Sequence, residues 1–180
     1  MKKGILIGIL IVAIAGLCFA FAGTAEKETA HDAYLRVHIR ANSNGEADQT
    51  VKYLVRDRVV EFLTPTVAGA EDKETAVSLI RGKLGEIAKV ADEVLRRNGF
   101  FYGARASLRE EEFPTRVYDG VTLEAGVYDA LIVELGSGSG DNWWCVVYPP
   151  LCFTGGNSNV VYKSKILEII DNFFRKGKNA

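Results

Sequence analysis

Along Tyr34-Leu35-Arg36-Val37-His38-Ile39-Arg40 apolar and polar residues alternate one by one, so Leu35, Val37 and Ile39 share one face of a strand and Arg36, His38 and Arg40 the other. The pattern predicts a half-buried strand. Asn42-Ser43-Asn44-Gly45 ends it, and Ser43 with Glu46 three residues later matches a capping box that opens a helix. Val51, Leu54, Val55, Val59, Phe62 and Leu63 then recur at helical spacing up to Pro65. A second helix is expected over 72–97, with Ala76, Leu79, Ile80, Leu84, Ile87, Val90, Ala91, Val94 and Leu95 facing inward and Asn98-Gly99 closing it. Gly82 and Gly85 weaken that helix by about 1 kcal/mol each relative to Ala and mark a place for a bend or close packing.

Downstream the period changes to two. Stretches 101–108, 116–121, 128–135 and 142–148 read as strands, separated by turn chemistry at Pro114, Asp119-Gly120, Gly126 and the run from Gly136 to Gly140. A last helix follows Gly155-Gly156-Asn157-Ser158, with Ile166, Leu167, Ile169, Ile170, Phe173 and Phe174 inward. Such an order does not alternate as a doubly wound sheet would. The expected fold is α+β: a mostly antiparallel sheet of about four or five strands, two helices inserted after the first strand, and a C-terminal helix, with helices laid on one sheet face.

Ahead of this domain, Lys2 and Lys3 precede an uncharged run from Gly4 to Gly23. Residues 1–23 therefore read as a signal peptide or an N-terminal membrane anchor, the length falling between the two. Ala20 and Ala22 supply the small-x-small pattern of a cleavage site before Gly23. Both readings send the rest of the chain across the membrane. Leu17 stands where a lipobox before Cys18 would need a small residue, which argues against lipidation. Residues 24–33 are small, polar and charged, as a tether would be, and 34–176 form a single expected domain.

The chain carries a net charge of -1, which becomes -3 without Lys2 and Lys3, and acids and bases are interspersed. No basic patch points to nucleic acid. The expected contact with membrane is through the N-terminal segment alone. His31 and His38 are the only histidines and neither stands at ligand spacing from a cysteine, so no metal or other cofactor is expected. Gly136-Ser137-Gly138-Ser139-Gly140 lacks the following helix and the Lys-Ser/Thr of a phosphate loop, and reads as a flexible exposed hairpin loop.

Asp141 to Phe153 is the most unusual segment. It holds both tryptophans, Trp143 and Trp144, which a strand directs to opposite faces. The pair is either covered within the domain or offers an aromatic anchor to another protein. Cys145 and Cys152 flank Pro149-Pro150, and in an oxidising exterior a bridge is favoured over a catalytic thiolate using His38 as base. As a base His38 would need a carboxylate beside it, which Asp48 or Glu46 could supply. Glu110-Glu111-Glu112 reads as a solvated hairpin tip.

Leu35-Arg36-Val37-His38-Ile39-Arg40-Ala41-Asn42-Ser43, Asp48-Gln49, Val55-Arg56-Asp57, Tyr128-Asp129-Ala130-Leu131, Asn142-Trp143-Trp144-Cys145 and Tyr148-Pro149-Pro150-Leu151-Cys152-Phe153 together resemble the stage II sporulation protein R family. The resemblance spans the domain from about Leu35 to the last helix, and the Trp-Trp-Cys to Pro-Pro-Leu-Cys block is its specific part. It implies a non-enzymatic signalling protein of endospore-forming bacteria, exported from the forespore into the space between two membranes. Its implied partner is a membrane-embedded aspartic protease that removes the pro-sequence of mother-cell sigma factor E. No catalytic residues carry over; matching positions for the receptor surface or its scaffold are His38, Asn42, Ser43, Asp48, Asn142, Trp143 and Trp144, with Cys145 and Cys152. Two other classes stand beside it: an extracytoplasmic cysteine-dependent hydrolase, and a wall-binding module that stacks sugars on Trp143 or Trp144.

Overall fold

The computed structural model describes residues 31–118, 120–153 and 160–178. The expected leader with Ala20 and Ala22, most of the tether, and the 155–158 turn lie outside the described residues. The elements are β1 (Leu35–Arg40), α1 (Glu46–Val67), α2 (Lys73–Arg81), α3 (Leu84–Arg97), β2 (Ala104–Phe113), β3 (Arg116–Tyr118), β4 (Val121–Leu123), β5 (Gly126–Leu135), β6 (Asn142–Tyr148), a 3-10 turn (Leu151–Phe153) and α4 (Val160–Lys178). The fold is α+β. A four-stranded sheet has the order β2-β5-β1-β6, and β3 and β4 form a separate two-stranded ribbon. β2 runs antiparallel to β5 and β6 antiparallel to β1, while β1 and β5 are parallel.

The alternation in β1 is observed, and its consequence differs from the expectation. Leu35, Val37 and Ile39 meet Leu131, Val133 and Leu135 of β5 and the stripe Val51, Val55, Val59, Leu63 of α1 in the larger core. Ala76 and Ile80 of α2 and Ile87, Ala91 and Leu95 of α3 complete it. The polar face is buried as well: Arg36 is 0% and His38 3% exposed. A second apolar cluster of Tyr34, Phe113, Leu123, Tyr128, Ala130, Ile132, Val146 and Leu151 closes over that face, joined by Tyr118 and Val121 of the ribbon and Ile170, Phe173 and Phe174 of α4.

Local differences have physical causes. α1 runs two residues past Pro65, because Leu63 and Val67 on either side are fully buried and hold the last turn against the lost N–H bond. The expected second helix is two: Gly82 ends α2, donating its N–H to the Ser78 carbonyl, while Asp72 caps the start of α2 through Thr75 N–H at 2.7 Å. The strand expected over 116–121 folds back at Gly120, whose φ of +84° suits glycine, into β3 and β4. Ser43 does not cap α1; the N-cap is Gly45, so the helix starts too late for a Ser43 capping box.

The Gly136–Gly140 loop is not a flexible hairpin tip. β5 and β6 flank β1, so the connection between them crosses the C-terminal end of β1 and lies on the Ala41–Asn44 backbone. Gly140 N–H donates to the Ala41 carbonyl at 2.9 Å, and Gly136 (φ +58°) and Gly138 (φ +64°) take left-handed conformations. A Cβ at Gly140 would stand 2.2 Å from the Ser43 carbonyl oxygen, a contact with backbone that cannot swing aside. Gly140→Ala should destabilise the domain by about 2–4 kcal/mol. Gly85→Ala, with nothing within 4 Å of the new methyl in the first turn of α3, should stabilise by about 0.5–1 kcal/mol. Urea denaturation of the two variants checks both signs.

Candidate functional site

At the end of β1 the chain turns into α1 through Asn42 and Ser43, and both side chains converge on Asp48 in the first helical turn. Asp48 is buried, accepting hydrogen bonds from Asn42 Nδ2 at 2.8 Å, Ser43 Oγ at 2.5 Å and Tyr102 OH at 2.5 Å. Burial alone would raise its pKa; the bonds from Ser43, Tyr102 and Asn42 outweigh that and hold the carboxyl below its usual range. Burial and the same contact push the Tyr102 hydroxyl up. The crossing loop is fastened to this cluster: Ser137 N–H donates to Asn42 Oδ1 at 3.0 Å, Ser137 Oγ to the Asn42 carbonyl at 2.6 Å, and Asp141 N–H to Asn44 Oδ1 at 2.5 Å. Buried Lys52 adds a tie from α1, its Nζ donating to the Asp141 carbonyl at 3.1 Å and to Gln49 Oε1 at 2.6 Å.

His38, Asn142 and Trp144 lie elsewhere, on the sheet face under the ribbon. Their register pairs His38 with Trp144 and Arg40 with Asn142 across β1 and β6. The carboxylate beside His38 is Glu111, not Asp48 or Glu46; Nδ1 stands 3.1 Å from Glu111 Oε1. Glu111 belongs to β2, where it faces inward while its neighbours Glu110 and Glu112 are exposed, so the expected solvated tip is instead a strand. On the sheet face the line from Glu111, opposite Tyr128, to His38, opposite Ile132, passes over Ala130, whose methyl group leaves it room. The alternation of Ala104, Ala106 and Leu108 carries the signal for this: extended three residues, it places Glu111 on the face of Phe113.

Glu111 also takes Arg40 on Oε1 and Arg109 on Oε2, and Glu134 takes Arg40 and Arg109 on Oε1 and Arg105 on Oε2. Burial opposes ionisation of Glu111, but Arg40, with His38 and Arg109, holds its pKa low. Burial lowers the His38 pKa, against opposing contributions from the Asn142 and Glu111 side chains. The ring sits between Phe113 and Trp144, 5.8 and 5.4 Å between centroids.

The two tryptophans part as strand geometry requires. Trp143 packs on the larger core with the Arg56 guanidinium 5.7 Å from its ring, and Trp144 lies on the ribbon face beneath Arg116 at 4.5 Å. Both are half-buried within the domain. Cys145 and Cys152 are bridged, with Cα atoms 6.0 Å apart. Cys145 pairs with Val37 and so points to the helix side, away from His38. A thiol there could not use His38 as its base without turning β6 over.

Residues 31–158 match the family described as Stage II sporulation protein R. This chain belongs to that family. It is 37% identical over 163 residues to the stage II sporulation protein R of Bacillus subtilis (strain 168), covering 85% of this chain and 72% of that protein. No solved structure matches. The candidate partner-binding positions lie within the family-matched span, divided between a loop fastening of Asn42 and Ser43 on buried Asp48, a cluster of His38, Asn142 and Trp144 on the ribbon face, and Trp143 on the helix side.

Asp48→Ala leaves the Asn42, Ser43 and Tyr102 donors without their shared acceptor, and should cost about 2–4 kcal/mol by chemical denaturation. Stability should also fall on acidification in two steps. The unfolded chain protonates His38 near its ordinary value of 6.5, whereas the folded chain resists, so stability declines as pH drops from there to the lowered folded value. Asp48 and Glu111 contribute stability above their ordinary carboxylate values, lost as pH falls through their lowered folded ones. His38→Gln should flatten the first decline and leave the second, measured as midpoint against pH.

Proposed function

We propose that this chain is a secreted intercellular signal of spore formation. Exported from the forespore into the space between two membranes, it activates a membrane-embedded aspartic protease that processes the pro-form of mother-cell sigma factor E. Membership of the stage II sporulation protein R family, over nearly the whole described domain, is the observation that carries this reading. The leader-like residues 1–23 and a Cys145–Cys152 bridge suited to an oxidising exterior support it. As an activator the domain must bind the active state of its partner more tightly than the inactive one, because only differential affinity shifts an equilibrium. A rigid scaffold favours this, since little ordering entropy is lost on binding.

The hydrolase reading requires a free thiol within reach of His38, and the sheet sends Cys145 to the opposite face. The two readings separate in one experiment. The purified exported chain, added to membranes bearing the protease and its pro-sigma substrate, should bind and raise the rate of pro-sequence cleavage. Absence of binding and stimulation rejects the proposal. The Cys145→Ser/Cys152→Ser variant should lose about 2–3 kcal/mol of stability from the opened short loop, yet stimulate normally below its lowered melting temperature. Complete loss of activity in that folded variant would favour cysteine chemistry.

A further inference from the structure

The ion-pair cluster on the ribbon face is layered. Glu111 and Glu134 are 12% and 20% exposed, while Arg109 and Arg105 above them are 41% and 70% exposed. Every carboxylate oxygen of the two acids is taken: Glu111 by His38, Arg40 and Arg109, Glu134 by Arg40, Arg109 and Arg105. Three guanidinium groups over two carboxylates leave one positive charge in excess. Arg105 reaches Glu134 only at 3.8 Å through Nε, so the outer edges of its fork point to solvent. Glu110 and Glu112 do not cancel the excess here, since alternation in β2 puts them on the other face. The outcome is a preorganised guanidinium surface on a chain whose net charge is negative.

Its position adds a second argument. The described chain begins at the opposite end of the sheet, where His31 stacks 4.4 Å from Tyr128 and Lys73 Nζ holds the Asp32 carbonyl at 2.8 Å. From Gly126, beside His31, to Glu134 the parallel strands advance by about 26 Å at the usual rise per residue. Arg105, opposite Glu134, therefore stands at the far end of β5 from His31, and Arg109, opposite Ala130, stands midway along it.

We infer that Arg105 and Arg109, held over Glu111 and Glu134, form a docking surface for an acidic segment of the partner protein, Asp and Glu side chains pairing with the outward N–H groups. Bidentate carboxylate recognition is what a planar guanidinium fork does best. This rests on the activator reading above. Because Arg105→Glu/Arg109→Glu gathers four carboxylates around Glu111 and Glu134, Arg105→Gln/Arg109→Gln, which removes the charge and adds none, is tested beside it. It should lower binding in the same direction, with the melting curves of both variants reporting folding.

The test is binding of the full exported chain to membranes carrying the sporulation aspartic protease. Wild-type binding should weaken as salt rises from about 0.05 to about 0.5 M. The double reversal should lower affinity by about tenfold or more at the lower salt, and Asp/Glu→Lys changes in the exposed extracytoplasmic segments of the protease should restore it. If the wild type does not bind at all, the activator reading falls and this inference with it. If the wild type binds and the reversal binds within about twofold, the activator reading stands and this surface is wrong. Equal, reversal-sensitive binding to protein-free vesicles of anionic lipid would overturn the acidic protein segment as occupant in favour of a lipid surface.

Discussion

Because β5 and β6 lie on either side of β1, the chain joining them must cross the end of the strand between them. That crossing presses Gly136 to Asp141 onto Ala41 to Asn44, at the point where β1 must turn into α1. Two backbones so close leave no room for a Cβ at Gly140, and the donors and acceptors they bury need partners from side chains. Asn42 serves both loops, accepting from Ser137 and donating to Asp48, and Lys52 fastens the outer end of the crossing to α1. Asp48 then links α1 to Tyr102 at the entrance of β2. One topological requirement thus explains Asn42 and Ser43 at the end of the first family motif and the glycines of a loop far from it in sequence.

The second unusual property of the fold is a buried charged sheet face. Arg36 lies fully buried among aromatic rings, its Cζ 4.2 Å from the Phe113 centroid and 4.9 Å from that of Tyr128, with Nη2 donating to Tyr118 OH at 2.8 Å. Ring quadrupoles and one phenolic oxygen stand where a counter-ion would be expected. Further along the same strand the arrangement changes to ion pairs, with His38 and Arg40 on Glu111. The face therefore grades from an aromatic cage at the base to a guanidinium-rich surface at the far end.

Burial changes what the family positions mean. His38 and Asp48 are closed off from solvent, so their chemistry is spent on holding strands and loops in place rather than on touching a partner. The Cys145–Cys152 bridge does related work, tying β6 to the turn after Pro149-Pro150. In the layer above these groups, side chains such as Arg105 and Arg109 stand exposed, positioned by the buried carboxylates beneath.

Periodicity in the sequence determined the strand and helix types, the faces of β1 and the opposite directions of Trp143 and Trp144, because each follows from local geometry; the sequence favours a Cys145–Cys152 bridge over a free thiolate, and the structure holds that bridge. The family block from Asn142 to Phe153 was legible by its resemblance to a known family. Only the tertiary structure decided that the polar face of β1 is covered, that Glu111 rather than Asp48 meets His38, and that the glycine-rich loop is pinned. Those outcomes depend on strand order, and β2, β5, β1 and β6 are neighbours in an order that no local pattern encodes. A residue's partner two strands away is set by which strands lie between, and here by the small size of Ala130 on the strand that does.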